Sequence, residues 1–147
     1  MSDGQAICLE FSLCGSKFES AGEASSKIKQ VLQQIGVPSE VIRRIAISAY
    51  EAEMNVIIHA FRGWMKASIS PEKTEIALED EGPGIADIEL AMQEGYSTAP
   101  DHIRAMGFGA GMGLPNISRC VDQFDISSEI GVGTKIYIVI DHKIREA

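Results

Sequence analysis

The stretch on which the fold turns is Gly107-Phe-Gly-Ala-Gly-Met-Gly113-Leu114. Four alternate glycines exceed what a single turn needs. They give a backbone that can bend closely around a ligand, with free N–H groups and a helix start at its end, which is how proteins build anion sites. The spacing excludes the two commonest phosphate loops, because there is no G-x-x-x-x-G-K-[ST] and the glycines do not fit G-x-G-x-x-G. A different nucleotide fold is required. Of the chain's 14 glycines, nine fall between Gly82 and Gly133, and neither a repeat nor a low-complexity linker accounts for them.

Outward from that stretch, residues Leu114 to Val121 read as a helix, Phe124 to Glu129 as a strand, Ile130 to Gly133 as a turn, and Thr134 to Ile140 as a closing strand rich in β-branched residues. Upstream, Gly95 to about Ala110 has no periodicity, and a loop of that length in a compact domain is usually functional. Before it come a short helix over Ala86 to Glu94 and two strands, Trp64 to Ser70 and Thr74 to Glu79, joined at Ser70-Pro71-Glu72-Lys73 as a hairpin. Glu40 to Phe61 is a long helix with Ser39 as its expected N-cap, apolar on most faces from Ile45 onward and therefore central and buried. A helix from about Ala21 to Ile35 stops at Gly36 and Pro38, and Ala6 to Leu13 reads as a first strand. Strands and helices that do not strictly alternate predict an α+β fold, a two-layer sandwich with a mixed, mostly antiparallel sheet.

Composition narrows the function. The 147 residues suit one domain, 1–147, and carry 13 Lys and Arg against 21 Asp and Glu, a net charge of −8. A phosphate-backbone binder needs a positive face, so neither nucleic acid nor an anionic membrane is an expected partner. No apolar run approaches a membrane span and Met1 is followed by polar residues rather than a signal segment, so the chain reads as cytoplasmic. Cys8, Cys14 and Cys120 have no metal spacing and read as reduced, mostly packed thiols. His59, His102 and His142 stand singly.

Two further segments carry possible chemistry. Glu51 and Asn55 stand four apart on one helix face, an arrangement that by itself reads as a polar stripe on a buried helix. A carboxamide oxygen there also suits Mg²⁺, and a carboxylate one turn away could orient or deprotonate a hydroxyl. Asp80-Glu81-Gly82-Pro83-Gly84 is a strand-to-helix turn whose glycines supply unusual backbone angles.

Taken in order, these segments resemble the GHKL superfamily, the Bergerat-fold ATP-binding proteins. Glu51-x-x-x-Asn55 is similar to its N box, Asp80-x-Gly82-x-Gly84 to its first glycine box, Gly107-x-Gly109-x-Gly111-x-Gly113-Leu114 to its second, and Gly133-Thr134 to its late threonine motif. The resemblance spans roughly Ile42 to Ile140. The length and the string Gly-Met-Gly-Leu-Pro-Asn-Ile resemble the anti-sigma-factor and stressosome switch kinase branch, which phosphorylates a Ser or Thr of a small STAS-type partner.

The resemblance implies a role for each residue. Asp80 would accept a hydrogen bond from the adenine amino group, with Thr134 supporting it through water and Gly84 letting the backbone approach the base. Asn55 would hold Mg²⁺ against the triphosphate, and Glu51 would be the general base for in-line attack on the γ-phosphate. Gly107, Gly109, Gly111 and Gly113, with Leu114, would wrap the phosphates as a lid. Glu53 points to a different helical face from Glu51 and reads as structural, with the role of rival base open to it only if the register is wrong. Arg104 reads as a solvated loop residue, His59 as packing at the helix end, and Met106 and Met112 as lid packing. The activity implied is an ATP-dependent protein serine/threonine kinase that also regulates by binding. The alternatives are a nucleotide-dependent anti-sigma binding switch with little phosphotransfer, or a simple ATPase. A sigma factor or phosphatase as a further partner, and a homodimer, stay open.

Overall fold

Residues 6–93 and 113–144 are described by a computed structural model of the chain. In order they form β1 (Ile7–Cys14), a 3-10 turn (Phe18–Ser20), α1 (Glu23–Gln34), α2 (Ser39–His59), β2 (Arg62–Ile69), β3 (Lys73–Glu81), α3 (Ile88–Ala91), α4 (Gly113–Cys120), β4 (Gln123–Glu129) and β5 (Gly133–Asp141). The strands make one sheet in the order β1-β2-β3-β5-β4. Every neighbouring pair is antiparallel, so among the described residues the mixed character expected of the sheet reduces to an antiparallel one.

Strict alternation decides which face is covered. Along β2 the buried positions are Gly63, Met65, Ala67 and Ile69, and along β3 they are Thr74, Ile76, Leu78 and Asp80. The hairpin register sets Met65 opposite Leu78 and Ala67 opposite Ile76, so one face is continuously apolar. Ile136, Ile138 and Ile140 of β5 extend it. Against this face pack Ile28 and Leu32 of α1, Val41, Ile45, Ala49, Ala52 and Val56 of α2, and Leu114 and Ile117 of α4, which completes the two layers. Each fully buried Ile or Leu contributes about 1.5–3 kcal/mol. The opposite sheet face meets solvent with opposed charges, Glu10 beside Lys66 and Glu79 beside Lys135.

The helix ends differ in part from what the sequence predicts. α1 stops as expected. Gly36 takes a left-handed φ of 82°, and the Val37 and Gly36 N–H groups donate to the carbonyls of Leu32 and Gln33 at 3.1 and 3.2 Å, a Schellman closure. At the start of α2, Ser39 lies inside the helix and the N-cap position belongs to Pro38, whose carbonyl accepts from Ile42 N–H at 3.0 Å without any side-chain cap. The extended backbone of Pro38, φ −56° and ψ 139°, marks the helix boundary one residue early. The helix expected over 86–94 shrinks to the four residues of α3, capped by the Asp87 carboxylate on Leu90 N–H at 3.1 Å. The β2–β3 turn closes as expected, through Ser70 N–H to the Lys73 carbonyl at 2.9 Å.

Cys8 and Cys14 are exposed and only Cys120 is partly covered, which corrects the expectation of mostly packed thiols; all three are free. The period of two turns Cys8 and Cys14 toward the solvent face, since Leu9, Phe11 and Leu13 occupy the inner one. Among the described residues no helix is long and apolar enough to cross a membrane.

Candidate functional site

Asp80 sits where the β3 alternation places a core-facing residue, one step past Leu78 at the end of the strand, and it is only 7% exposed. Burial pushes its carboxyl above the usual aspartate range, opposed by a hydrogen bond from Thr134 N–H to Oδ1 at 3.0 Å, and the neighbouring Glu79 charge adds to the rise. The β5 backbone can come this close only because residue 133 is glycine. A Cβ there would lie 2.0 Å from the Asp80 carbonyl oxygen.

Ser128 organises the same corner. Its hydroxyl donates to the Gly133 carbonyl at 3.0 Å and accepts from Ile85 N–H at 2.7 Å. With its one proton committed, Ser128 accepts from the Thr134 hydroxyl at 3.0 Å, which leaves the lone pairs of Thr134 as acceptors beside Asp80. The 82–84 turn is fastened to the β4–β5 turn by Gly82 N–H to Val132 O at 3.1 Å and Gly131 N–H to Pro83 O at 2.9 Å. A Cβ on Gly82 would meet Ala60 Cα at 2.9 Å, and one on Gly84, whose φ is 80°, would meet the Glu129 carbonyl at 2.5 Å. Here both glycines serve the packing of the turn against its own neighbours.

The second wall is α2. Glu51 and Asn55, four apart, are both half-buried, whereas Glu53 between them is 1% exposed. Glu53 Oε2 accepts from Gly22 and Ala24 N–H at 3.1 and 3.3 Å and Oε1 from Ser25 N–H at 3.2 Å. It caps the first turn of α1 from another helix, satisfying N–H groups that Gly22, with no side chain, cannot. Glu53 is therefore structural, as its helical face implied. Gly63 lets this wall meet Asp80, since a Cβ there would stand 3.0 Å from Val56 Cγ1 and 3.1 Å from Asp80 Cβ.

α4 lies along α2. Glu51 Oε2 accepts from the Asn116 amide at 3.0 Å, and Asn116 Oδ1 accepts from the Arg119 guanidinium at 2.9 Å. Glu51 Oε1 faces Gly113, where a Cβ would lie 3.6 Å away. At the other end, Arg44 Nε donates to the Cys120 carbonyl at 2.9 Å and its NH2 group pairs with Asp122 at 3.2 Å.

The structure thus brings Asp80 and Thr134 together, and Glu51 together with Gly113, with α2 joining the two groups. Leu114 puts its side chain into the core at 7% exposed. Gly107, Gly109 and Gly111, with Arg104, Met106 and Met112, lie outside the described residues. His59 is the last residue of α2, with burial holding its imidazole below the ordinary range. Sequence reasoning missed Ser128, Gly63, Asn116, Arg119 and Arg44. Their partners stand 3 to 78 positions away; Asn116 and Arg119 share a helix face three residues apart, and Gly63, a glycine inside a strand, carries a local signal of close backbone approach, but Ser128 and Arg44 have no such short-range mark.

A family model described as "Histidine kinase-like ATPase domain" matches residues 15–140, which contain every described element after β1 except the last residue of β5. Among characterised proteins, the chain is 30% identical over 115 residues to the serine/threonine-protein kinase RsbT of Bacillus subtilis, covering 76% of this chain and 80% of that one. It is 31% identical over 144 residues to the anti-sigma F factor of Clostridium beijerinckii, covering 94% of each. Identity to the anti-sigma F factor of Thermoanaerobacter sp. is 32% over 126 residues, covering 82% and 85%. With the family model spanning most of its length, the chain belongs to the histidine kinase-like ATPase (GHKL) family, on its anti-sigma kinase branch.

Proposed function

We propose that the chain, 1–147 as a single ATP-binding kinase domain, is a cytoplasmic protein serine/threonine kinase and partner-switching regulator that transfers the γ-phosphoryl group of ATP to a STAS-type partner. The observation that carries the proposal is the position of Glu51, on the same α2 face as Asn55 and with Oε1 against Gly113 where α4 begins.

The donor set fits the nucleotide. Asp80 offers a carboxylate whose Oδ1 is pinned by Thr134 N–H, and so can accept from the amino group of adenine. The Thr134 hydroxyl supplies acceptor lone pairs beside it. Asn55 offers one hard oxygen, as Mg²⁺ accepts from proteins that leave most of its octahedron to water and phosphate. Gly82 and Gly84 shape the floor, and Gly107, Gly109, Gly111, Gly113 and the backbone of Leu114 are assigned to the phosphates. Bound Mg²⁺-ATP supplies the electrophilic phosphorus and the ADP leaving group. Glu51 orients the partner's Ser or Thr hydroxyl and takes its proton as the new O–P bond forms, then releases that proton to solvent.

The test mixes purified protein, Mg²⁺-ATP and STAS-domain proteins from the same genome, and looks for phosphate on a partner Ser or Thr. Intact ATP binding without transfer would refute the kinase and leave a nucleotide-dependent anti-sigma switch. Phosphate released without an acceptor would make the chain a simple ATPase. The protein with Mg²⁺-ATP, alone and with sigma factors of the same genome added, run on a sizing column, reports a homodimer and a sigma factor held by the chain.

A further inference from the structure

We propose that Asn116, itself oriented by Arg119, is a positioning residue for Glu51. The inference rests on Glu51 being the base in the function proposed above.

The chemistry of the three side chains admits one arrangement. A carboxylate can only accept and a guanidinium can only donate, so an amide between them must turn its NH2 to Glu51 and its oxygen to Arg119. The observed contacts have that sense, Asn116 Nδ2 to Glu51 Oε2 at 3.0 Å and Arg119 to Asn116 Oδ1 at 2.9 Å. Arg119 therefore fixes the amide, and the amide fixes the carboxylate. With Oε2 engaged, Oε1 is the oxygen turned toward Gly113.

The neutral residue in the middle matters. A guanidinium placed directly on Glu51 would hold it equally well, but as an ion pair that competes for the proton a base must accept. Asn116 holds the carboxylate without neutralising it, and sets Arg119 one residue back. Asn116 also lies on the first turn of α4, whose far end Arg44 clamps through the Cys120 carbonyl at 2.9 Å, so the donor is anchored independently of Glu51. Half-buried Glu51 would otherwise sample rotamers, and a displacement of about 1 Å in a reacting group can cost roughly 100-fold in rate.

The test has a readout that needs no nucleotide. In the free protein, the Asn116 side-chain amide resonances shift in both Glu51→Ala and Arg119→Ala; an unmoved signal in either overturns the relay. Kinetically, with Mg²⁺-ATP and the STAS acceptor, Asn116→Ala lowers kcat by roughly 10- to 100-fold while KM for ATP and the melting temperature stay near the parent's. Arg119→Ala, at an exposed position, lowers kcat less and in the same sense. In a Glu51→Ala background Asn116→Ala adds nothing. A full-speed Asn116→Ala beside a slow Glu51→Ala overturns the positioning role alone, and so does a loss that persists undiminished in the Glu51→Ala background. A full-speed Glu51→Ala overturns the base assignment itself.

Discussion

Two glutamates separated by one residue on α2 should fail in opposite ways when each is replaced by glutamine. Glu53 accepts three backbone N–H bonds at 3.1, 3.3 and 3.2 Å and is 1% exposed. Hydrogen bonds to a charged acceptor contribute about 1.5–3 kcal/mol each, so the gross interaction is large, and part of it offsets the desolvation of the carboxylate. Glu53→Gln keeps one acceptor oxygen but turns an NH2 group toward the N–H donors of α1. The expected net loss is about 2–4 kcal/mol, a substantial part of the roughly 5–15 kcal/mol that holds a domain together. Glu51→Gln keeps an oxygen for Asn116 and lies half-buried, so its stability should stay within about 0.5 kcal/mol of the parent, with phosphotransfer abolished. Urea unfolding followed by circular dichroism gives both values, and amide exchange at Gly22, Ala24 and Ser25 localises the loss to the start of α1. Equal midpoints for the two variants, or an unchanged midpoint for Glu53→Gln, would refute the assignment of roles.

Asp80→Asn should abolish nucleotide recognition while leaving the fold as stable or more so at pH 7. Thr134 N–H keeps an acceptor and the cost of burying a charge disappears, so ATP affinity by calorimetry should fall roughly 100-fold without a lower melting temperature. Gly133→Ala would drive a Cβ to 2.0 Å from the Asp80 carbonyl oxygen, and should cost at least about 3 kcal/mol in urea unfolding or prevent folding. Burial holds His59 and His142 below the ordinary imidazole range, so the unfolded chain takes up protons that the folded one resists. Stability from these neutral rings is complete above about pH 6.5 and is lost as the pH falls, and a melting curve between pH 7.5 and 5.5 should be flatter in the double variant H59Q/H142Q. With a net charge of −8, the chain should lose most of its ATP affinity in EDTA and recover it with Mg²⁺; equal affinity in both would remove Mg²⁺ from the site.

The legible part of the molecule is what short-range pattern controls. The order of elements, the β2–β3 turn and the Gly36 stop follow from periodicity and turn chemistry, and the four-residue step from Glu51 to Asn55 places both on one helix face. The sheet order is not written locally, because β5 enters between β3 and β4 after a chain excursion that no strand pattern records. Glu53 shows the same limit. Its separation from Glu51 marks it as structural, but nothing in its own segment names Gly22, Ala24 and Ser25 as its donors. Ser39 misled because it is a good cap beside a proline that also ends an extended segment. The cysteines misled because a small apolar side chain on an edge strand can face either way.

β3 is paired with β2 from Thr74 to Glu81 and with β5 from Lys73 to Glu79, and Asp80 just beyond that ladder is held by Thr134 N–H, whereas α4 is an eight-residue helix pinned to α2 at its two ends. On the proposed assignment, the carboxylate that would read adenine thus sits in the part of the protein expected to open last, and the contact that would align the base in one of the first to open. Heat or mild denaturant should therefore pass the protein through a state that still grips nucleotide and no longer turns it over. If the proposed function holds, a partner bound through the nucleotide-loaded form would be released later than the chemistry stops, and substitutions in α4 alone would tune the two lifetimes apart.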